Sequence, residues 1–375
     1  MKKLAKIIAA AVCAASVLSL SACSGCSGTT TYTTSTSPNW QIRVSAADEL
    51  DGNAFWLTHA ETAEYSLSLR GGSNNSYSVE YSDDGTYTTK LYATVYDWSG
   101  QDVPEDLRIE NTTDYIYVYE TALYQPGAFV FGGERLEFVN EIKTVSYFRS
   151  AGNNLLPVYS MQDIKCVSAN ALQPVSLADC YIRMDRLYTT YYSRDGVTAI
   201  TSVEVRDEDE ESGFESTSYS ASVGTEYSLF DASSLGIALR SMGQSGTNTF
   251  DVYIPINGAK AQYQAAWSGP VSVDRNSGDY SSIVTAMDAA EEDGYLLLGT
   301  NDEGKIDYSF TPVTVSLVSN MTGPSTTYYY ASISNTDMNV GRAVLMRVEE
   351  ALTFSLGTVI YNLTSLECLE ISDAE

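Results

Sequence analysis

The sequence predicts a mainly β protein: a curved antiparallel sheet or open half-barrel with one or two short helices. Three observations predict it. Apolar and polar residues alternate with a period of two, as in Tyr77, Val79 and Tyr81 against Ser78, Glu80 and Ser82. The composition favours strands, because 28 of the 375 residues are tyrosine and Thr and Val are abundant. A helical period emerges only in short stretches, and no Pro/Gly linker or fixed-period repeat divides the chain.

The chain opens on an export signal over residues 1–22. Lys2, Lys3 and Lys6 form its charged region, and Ile7 to Leu20 its apolar core. That core is too short to span a bilayer as a stable helix. Small residues and Cys23 follow. Leu20-Ser21-Ala22-Cys23 resembles the lipobox of bacterial lipoproteins. The resemblance implies a diacylglyceryl group on the Cys23 thiol and cleavage that leaves Cys23 as the first mature residue. Two acyl chains anchor durably where one binds only marginally. The alternative is an ordinary cleavable signal followed by a cysteine; the distance of the four positions from the lysines favours the lipobox.

Residues 23–39, rich in Ser, Thr and Gly, read as a flexible tether, and residues 40–375 as one large β-rich domain. Loss of the signal takes the basic count from 21 to 18 against 48 acidic side chains, a net charge of about −30. Nucleic acid and anionic lipid faces repel such a body, so no nucleic-acid partner is expected. The membrane contact is expected through Cys23, on the extracytoplasmic side of a cell or outer membrane.

Thr58 to Glu64 reads as a short helical lead-in. Strands follow at Tyr77–Ser82 and Tyr87–Val95, with Asp84-Gly85 as a hairpin signal between them. Tyr115–Tyr119 and Leu136–Phe148 are two more, turned by Gly132-Gly133, and Ser150–Asp179 reads as less regular. Leu187–Tyr191 and Val197–Val205 form a hairpin across Arg194-Asp195-Gly196. The acidic run Asp207–Glu211 is a solvated loop or, alternatively, a calcium-collecting one. After a strand over Tyr219–Phe230 the period changes: Asp231 or Ser233 caps a helix to Met242, with Leu235, Leu239 and Met242 on one face. Ser281–Glu292 is a helix or a strand with a helical tail. Strands at Thr249–Pro255, Ala261–Trp267, Val313–Val318, Thr326–Ser332, Arg342–Glu349 and Leu356–Leu363 complete the sheet.

Catalytic signatures are sparse. His59 is the only histidine, and one histidine without a spaced partner reads as a surface residue. There is no G-x-S-x-G, HExxH or phosphate-binding glycine loop. With a single histidine and no cysteine cluster, neither zinc nor another cofactor is expected. Asp274–Asp279 resembles the first half of a calcium loop, but its twelfth position is Thr285 rather than Glu. The sequons at Asn111, Asn320 and Asn362 carry little weight behind a bacterial signal. Cys166 and Cys180 can pair in an oxidising compartment or remain separate buried thiols, and both readings stay open beside Cys368. Trp56, Trp98, Trp267 and the tyrosines can stack on sugars or wall an acyl ligand, or simply form cross-strand pairs.

Two later stretches resemble the envelope family called domain of unknown function 3108. In one, Phe230-Asp-Ala-Ser-Ser-Leu-Gly-Ile-Ala-Leu-Arg-Ser-Met242 leads to Phe250-Asp-Val-Tyr-Ile254. In the other, Arg342–Glu349 leads to Leu356-Gly-Thr-Val-Ile-Tyr-Asn-Leu363. The resemblance implies an open half-barrel related in shape to lipoprotein carriers, and no catalytic residues. The expected function is therefore non-enzymatic: a tethered binding or envelope-maintenance protein holding an apolar or amphipathic ligand, such as a lipid, in its concave face. The alternatives are a glycan-binding accessory protein using exposed Tyr and Trp, and a structural surface protein without a ligand. A lipid binder needs an apolar concavity, a sugar binder a coplanar aromatic row on an outer face, and a spacer neither.

Overall fold

The computed structural model describes residues 59–95, 115–151, 154–193, 198–206, 217–222, 229–240, 246–273, 278–293, 308–320, 323–335 and 340–370. Period-two burial governs its strands. In β1 (His59–Gly71), Ala63, Tyr65 and Leu67 are buried while Glu64 and Ser68 face water. This corrects the helical lead-in expected over Thr58–Glu64. β1 fills a slot between two strands, β3 (Thr86–Val95) and β17 (Gly357–Glu370), and pairs antiparallel with both. Ladders on both sides satisfy its backbone, which local propensity could not foresee.

Two meanders meet at β1. One runs from β3 through β4 (Tyr115–Phe131), β5 (Glu134–Ala151), β6 (Asn154–Ala169), β7 (Tyr181–Tyr192) and β8 (Thr198–Val205) to β9 (Thr217–Ser222). The other runs from β11 (Thr247–Ile254) through β12 (Ala259–Trp267), β14 (Ser309–Leu317), β15 (Thr326–Asn335) and β16 (Val340–Ala351) to β17. β10 (Leu229–Asp231) joins β11 in parallel, and the two-residue β13 (Val271–Ser272) joins β14. The result is one curved, unclosed, mostly antiparallel sheet of 17 strands. β6 occupies the segment expected to be irregular; its two long ladders hold Leu-Pro and polar residues extended.

Asp84-Gly85 is not a hairpin turn. β2 (Ser78–Tyr81) and β3 follow one another along the same partner, β4. The turn residues instead let β1 come close: a Cβ on Gly85 would lie 3.2 Å from Leu67 Cβ. Gly132-Gly133 does turn β4 into β5, both at positive φ.

The two ends of β1 and β17 set a second close approach. Gly357 has φ +110°, and a Cβ there would lie 2.4 Å from Arg70 O. Gly357→Ala is therefore expected to cost about 2 kcal/mol. Chemical denaturation checks this against Gly269→Ala, where nothing lies within 4 Å. Equal stability of the two variants would refute the crowding.

Among the described residues, three helices complete the fold. α1 (Leu177–Cys180) precedes β7, and α2 (Leu235–Arg240) lies within the concavity. Segment Ser281–Glu292 resolves to a helix, α3, which packs against β17. α3 lies on the outer side, because Arg347 reaches Asp279 O at 3.2 Å and Asn362 Oδ1 at 2.9 Å. Those residues alternate with Val348 and Tyr361, which point inward.

Candidate functional site

The sheet wraps around α2, and the inner face converges on the residues that begin it. Asp231 ends β10 and caps the helical segment by accepting the Ser233 N–H at 2.8 Å. It is 1% exposed. Its carboxylate also accepts from Ser160 Oγ at 2.6 Å, Gln162 Nε2 at 3.4 Å, Tyr192 OH and Ser233 Oγ. Ser233 Oγ in turn meets Ser146 Oγ. No ion pair among the described residues reaches Asp231, so hydrogen bonds alone compensate its burial. The Tyr192 hydroxyl is held well above its ordinary pKa, first by burial and then by this carboxylate. It therefore acts as a fixed donor.

α2 is seated at its other end by charge. Arg240 grips Glu61 of β1 with two arms, one at 2.8 Å, and both side chains are nearly buried. Tyr330 OH donates to Gly236 O at 2.6 Å, and Tyr65 OH to Leu345 O at 2.9 Å. Leu235, Ile237 and Leu239 are fully enclosed, worth about 1.5–3 kcal/mol each relative to exposure. Much of the tyrosine foreseen as half-exposed cross-strand pairing is instead internal filling. Tyr65, Tyr188, Tyr192, Tyr253, Tyr263 and Tyr328 are among the largest fully buried side chains.

Among the described residues the interior is largely filled. Between the main core and the cluster around Phe129 and Leu356 lies a cavity of about 50 Å³. Pockets for small ligands run about 300–1,000 Å³, whereas this one holds only a few waters. Its lining is mixed, with Leu123, Val359 and Ile142 beside Gln125, Thr353 and Glu350. Glu350 accepts from Tyr361 OH at 2.9 Å, and burial raises its carboxyl pKa from 4.5 to about 8. Thr353 Oγ1 is buried without a partner among the described residues. A wider depression of about 590 Å³ lies open at β2, β4 and β5. Its guanidinium, Arg135, is already paired with Glu80 and Glu137. The apolar concavity that an internal lipid ligand requires is therefore occupied by α2 and the buried tyrosines.

The outer face carries a different arrangement. Tyr147, Tyr159 and Tyr191 come from three adjacent strands and stand opposite one another in register. Their ring centroids lie 5.4 and 5.1 Å apart, with planes inclined by 65° and 54°. One pair meets edge to face and the other is tilted, so the row is not the flat platform on which a sugar ring stacks. Burial pushes Tyr147 upward and Tyr159 up to about 12.

The other sequence-predicted positions fall apart from one another. Cys23, Trp56, Trp98, Asn111 and the run Asp207–Glu211 lie outside the described residues. His59 opens β1 opposite Glu370. Trp267 is buried beside Tyr330 and belongs to the core. Thr285 lies within α3, where its hydroxyl donates to Ser281 O at 2.9 Å, so that position serves the helix. Among the described residues no group of three or more His, Cys, Asp or Glu is placed to hold a metal ion.

The Cys166–Cys180 pairing requires correction, because Cys180 is a free, buried thiol. Cys166 faces Met184 on β7, while Cys180 O accepts from Asn170 N, four residues beyond Cys166 and just past the end of β6. At about 3.3 Å per residue that is roughly 13 Å, beyond the Cα separation of about 7 Å that a disulfide spans.

Asp231 and Glu350 escaped sequence reasoning as buried acids. Asp231 was legible as a cap, since Asp before Ser-Ser and an apolar run is a helix start. Its three donors from β6 and β7 were not.

No family model matches the chain, so the likeness of Phe230–Ile254 and Arg342–Leu363 to domain of unknown function 3108 rests on their motifs. Locally those stretches do form a strand, a capped short helix and an antiparallel strand pair. No curated protein matches the chain. Among solved structures it is similar to a β-barrel-like protein of domain of unknown function DUF1849 from Brucella abortus. The identity is 8% and the TM-score 0.42, over 84% of this chain and 99% of that one.

Proposed function

We propose that the chain is a lipid-anchored, extracytoplasmic envelope protein, held at the membrane through Cys23, that works through its surface rather than by turnover or by carrying a ligand inside. The observation that supports this is the filled concavity. Among the described residues, α2, the Glu61–Arg240 pair and the buried tyrosines fill the concave side of the sheet, and the cavity beside them is about 50 Å³. Of the three non-enzymatic readings, a surface protein without an internal ligand needs the fewest additions.

Two measurements on the full chain test it. Cys23→Ser is expected to move the protein from the membrane fraction to the soluble extracytoplasmic fraction; retention in the membrane would refute anchoring. Native mass spectrometry of that variant, purified from its host, is expected to give a clean apo mass. A co-purifying lipid would restore the carrier reading.

A further inference from the structure

A turn, rather than a strand, walls one side of the cavity of about 50 Å³. Leu352, Thr353 and Leu356 line it, and all three lie between β16 and β17. Ser355 in the same turn is exposed, while Thr353 and Leu356 are buried. The turn therefore stands between the cavity and water. Its backbone is strained. Phe354 and Ser355 have φ of +56° and +59°, and among the described residues they are the two non-glycines at positive φ. Residues with side chains persist there only when their surroundings hold them. Here Leu352 N donates to Gly357 O at 2.8 Å, Leu356 N to Thr353 O at 3.3 Å, Gly72 N to Leu356 O at 2.8 Å and Asn74 Nδ2 to Phe354 O at 3.1 Å.

Glu350 lines the same cavity, close before the turn in the chain. No ion pair among the described residues reaches it, and its donor is Tyr361 OH. The titratable groups that act with it are Tyr361 of β17, Tyr81 of β2 and Tyr328 of β15. Burial holds all three hydroxyls above their ordinary pKa, so they stay neutral. No residue that β4, β5 or β6 contributes to the cavity lining titrates. A neutral Glu350 carboxyl is served by this setting. An ionised one has about four acceptor sites and one donor. The cavity holds about three waters, too few to restore the hydration of a carboxylate. Thr353 Oγ1, buried without a partner among the described residues, is short of water as well.

We propose that Glu350, the cavity and the Thr353–Ser355 turn form a pH-sensitive latch: the turn is shut while the carboxyl is neutral and swings out when the carboxyl ionises, letting water reach the charge. The chemical step is one proton transfer. The Glu350 O–H bond breaks, the proton passes to a base in solvent, and the electron pair stays on the carboxylate oxygen. Burial sets this event near pH 8 in the closed state. In the open state the carboxyl returns to its ordinary range, so rising pH favours opening. The turn is the wall that yields, because moving it breaks a few hydrogen bonds and relieves two strained residues, whereas moving any other wall breaks a ladder. Opening also uncovers Phe354 and Leu356, which pack in the cluster around Phe129. That end of the sheet then shows apolar surface at alkaline pH alone.

The test is hydrogen exchange of the full chain, read by mass spectrometry at about pH 6.5 and about pH 9 and corrected for the intrinsic rate at each pH. In the parent, protection of the Leu352 and Leu356 amides is expected to fall at least about tenfold between the two pH values, and in Glu350→Gln less than about twofold. The amides of residues 142–147 in β5 are expected to stay at least about tenfold better protected than the turn at both. Ser355→Gly suits the positive φ and is expected to raise the turn's protection at least about twofold at pH 9. Three results overturn the latch. They are protection of the turn retained at pH 9 or lost equally in Glu350→Gln, loss that comes only together with β5, and an unchanged turn in Ser355→Gly.

Discussion

Asp231→Ala is expected to destabilise the protein by about 3–5 kcal/mol, near the upper end for a single substitution. The loss follows from geometry. Five donor contacts from Ser160, Gln162, Tyr192 and Ser233 end on one carboxylate that is 1% exposed. Alanine leaves those buried donors without their shared acceptor and removes the cap of α2 in the same stroke. Hydroxyls of Ser160 and Ser233 can turn elsewhere, which keeps the cost below the simple sum. Asp231→Asn retains an acceptor and a good capping residue, so it is expected to cost roughly half as much. Guanidinium denaturation of the three proteins distinguishes the cases. An alanine variant within 1 kcal/mol of the parent would mean that the network is decorative.

Glu350 is expected to make stability fall with rising pH across a window that begins near 4.5. Burial raises its folded-state pKa to about 8, against 4.5 for an ordinary glutamate. Below that window both folded and unfolded chains hold the proton, and the group has no effect. Between the two values the unfolded side chain releases its proton while the folded one keeps it, so each pH step favours unfolding. Above about 8 the folded carboxyl ionises too and the loss levels off. The accumulated difference is on the order of a few kcal/mol. Glu350→Gln removes the titration and keeps an acceptor for Tyr361. The variant is therefore expected to match the parent at pH 5 and exceed it at pH 9. Parallel denaturation curves at both pH values would show that Glu350 titrates normally.

Sequence reasoning reached what is decided within a few residues. The period-two pattern identified nearly all the strands from Tyr77 onward, Gly132-Gly133 identified the β4–β5 turn, and Asp231 before Ser-Ser-Leu identified the start of α2. It failed where a distant partner decides. Thr58–Glu64 looks helical by itself, but the slot between β3 and β17 imposes extension on the described part of it. The Asp84-Gly85 signal is local and real, yet β2 and β3 share β4 instead of pairing with each other. An exported chain leaves Cys166 and Cys180 open to pairing or to staying separate, and the β6–β7 register holds them apart.

The sequence by itself determined the strand class, the acidic balance, the capped helix and the signal-like start ending at Cys23. Only the tertiary structure decided which side of each strand is the inside. Alternation says that a strand has two faces; it does not say which one a curving sheet will enclose. Tyr117 and Tyr119 turned inward, whereas Tyr147, Tyr159 and Tyr191 turned outward and met across three strands. Register and curvature are set by pairings between residues far apart in the chain, and no local pattern encodes them.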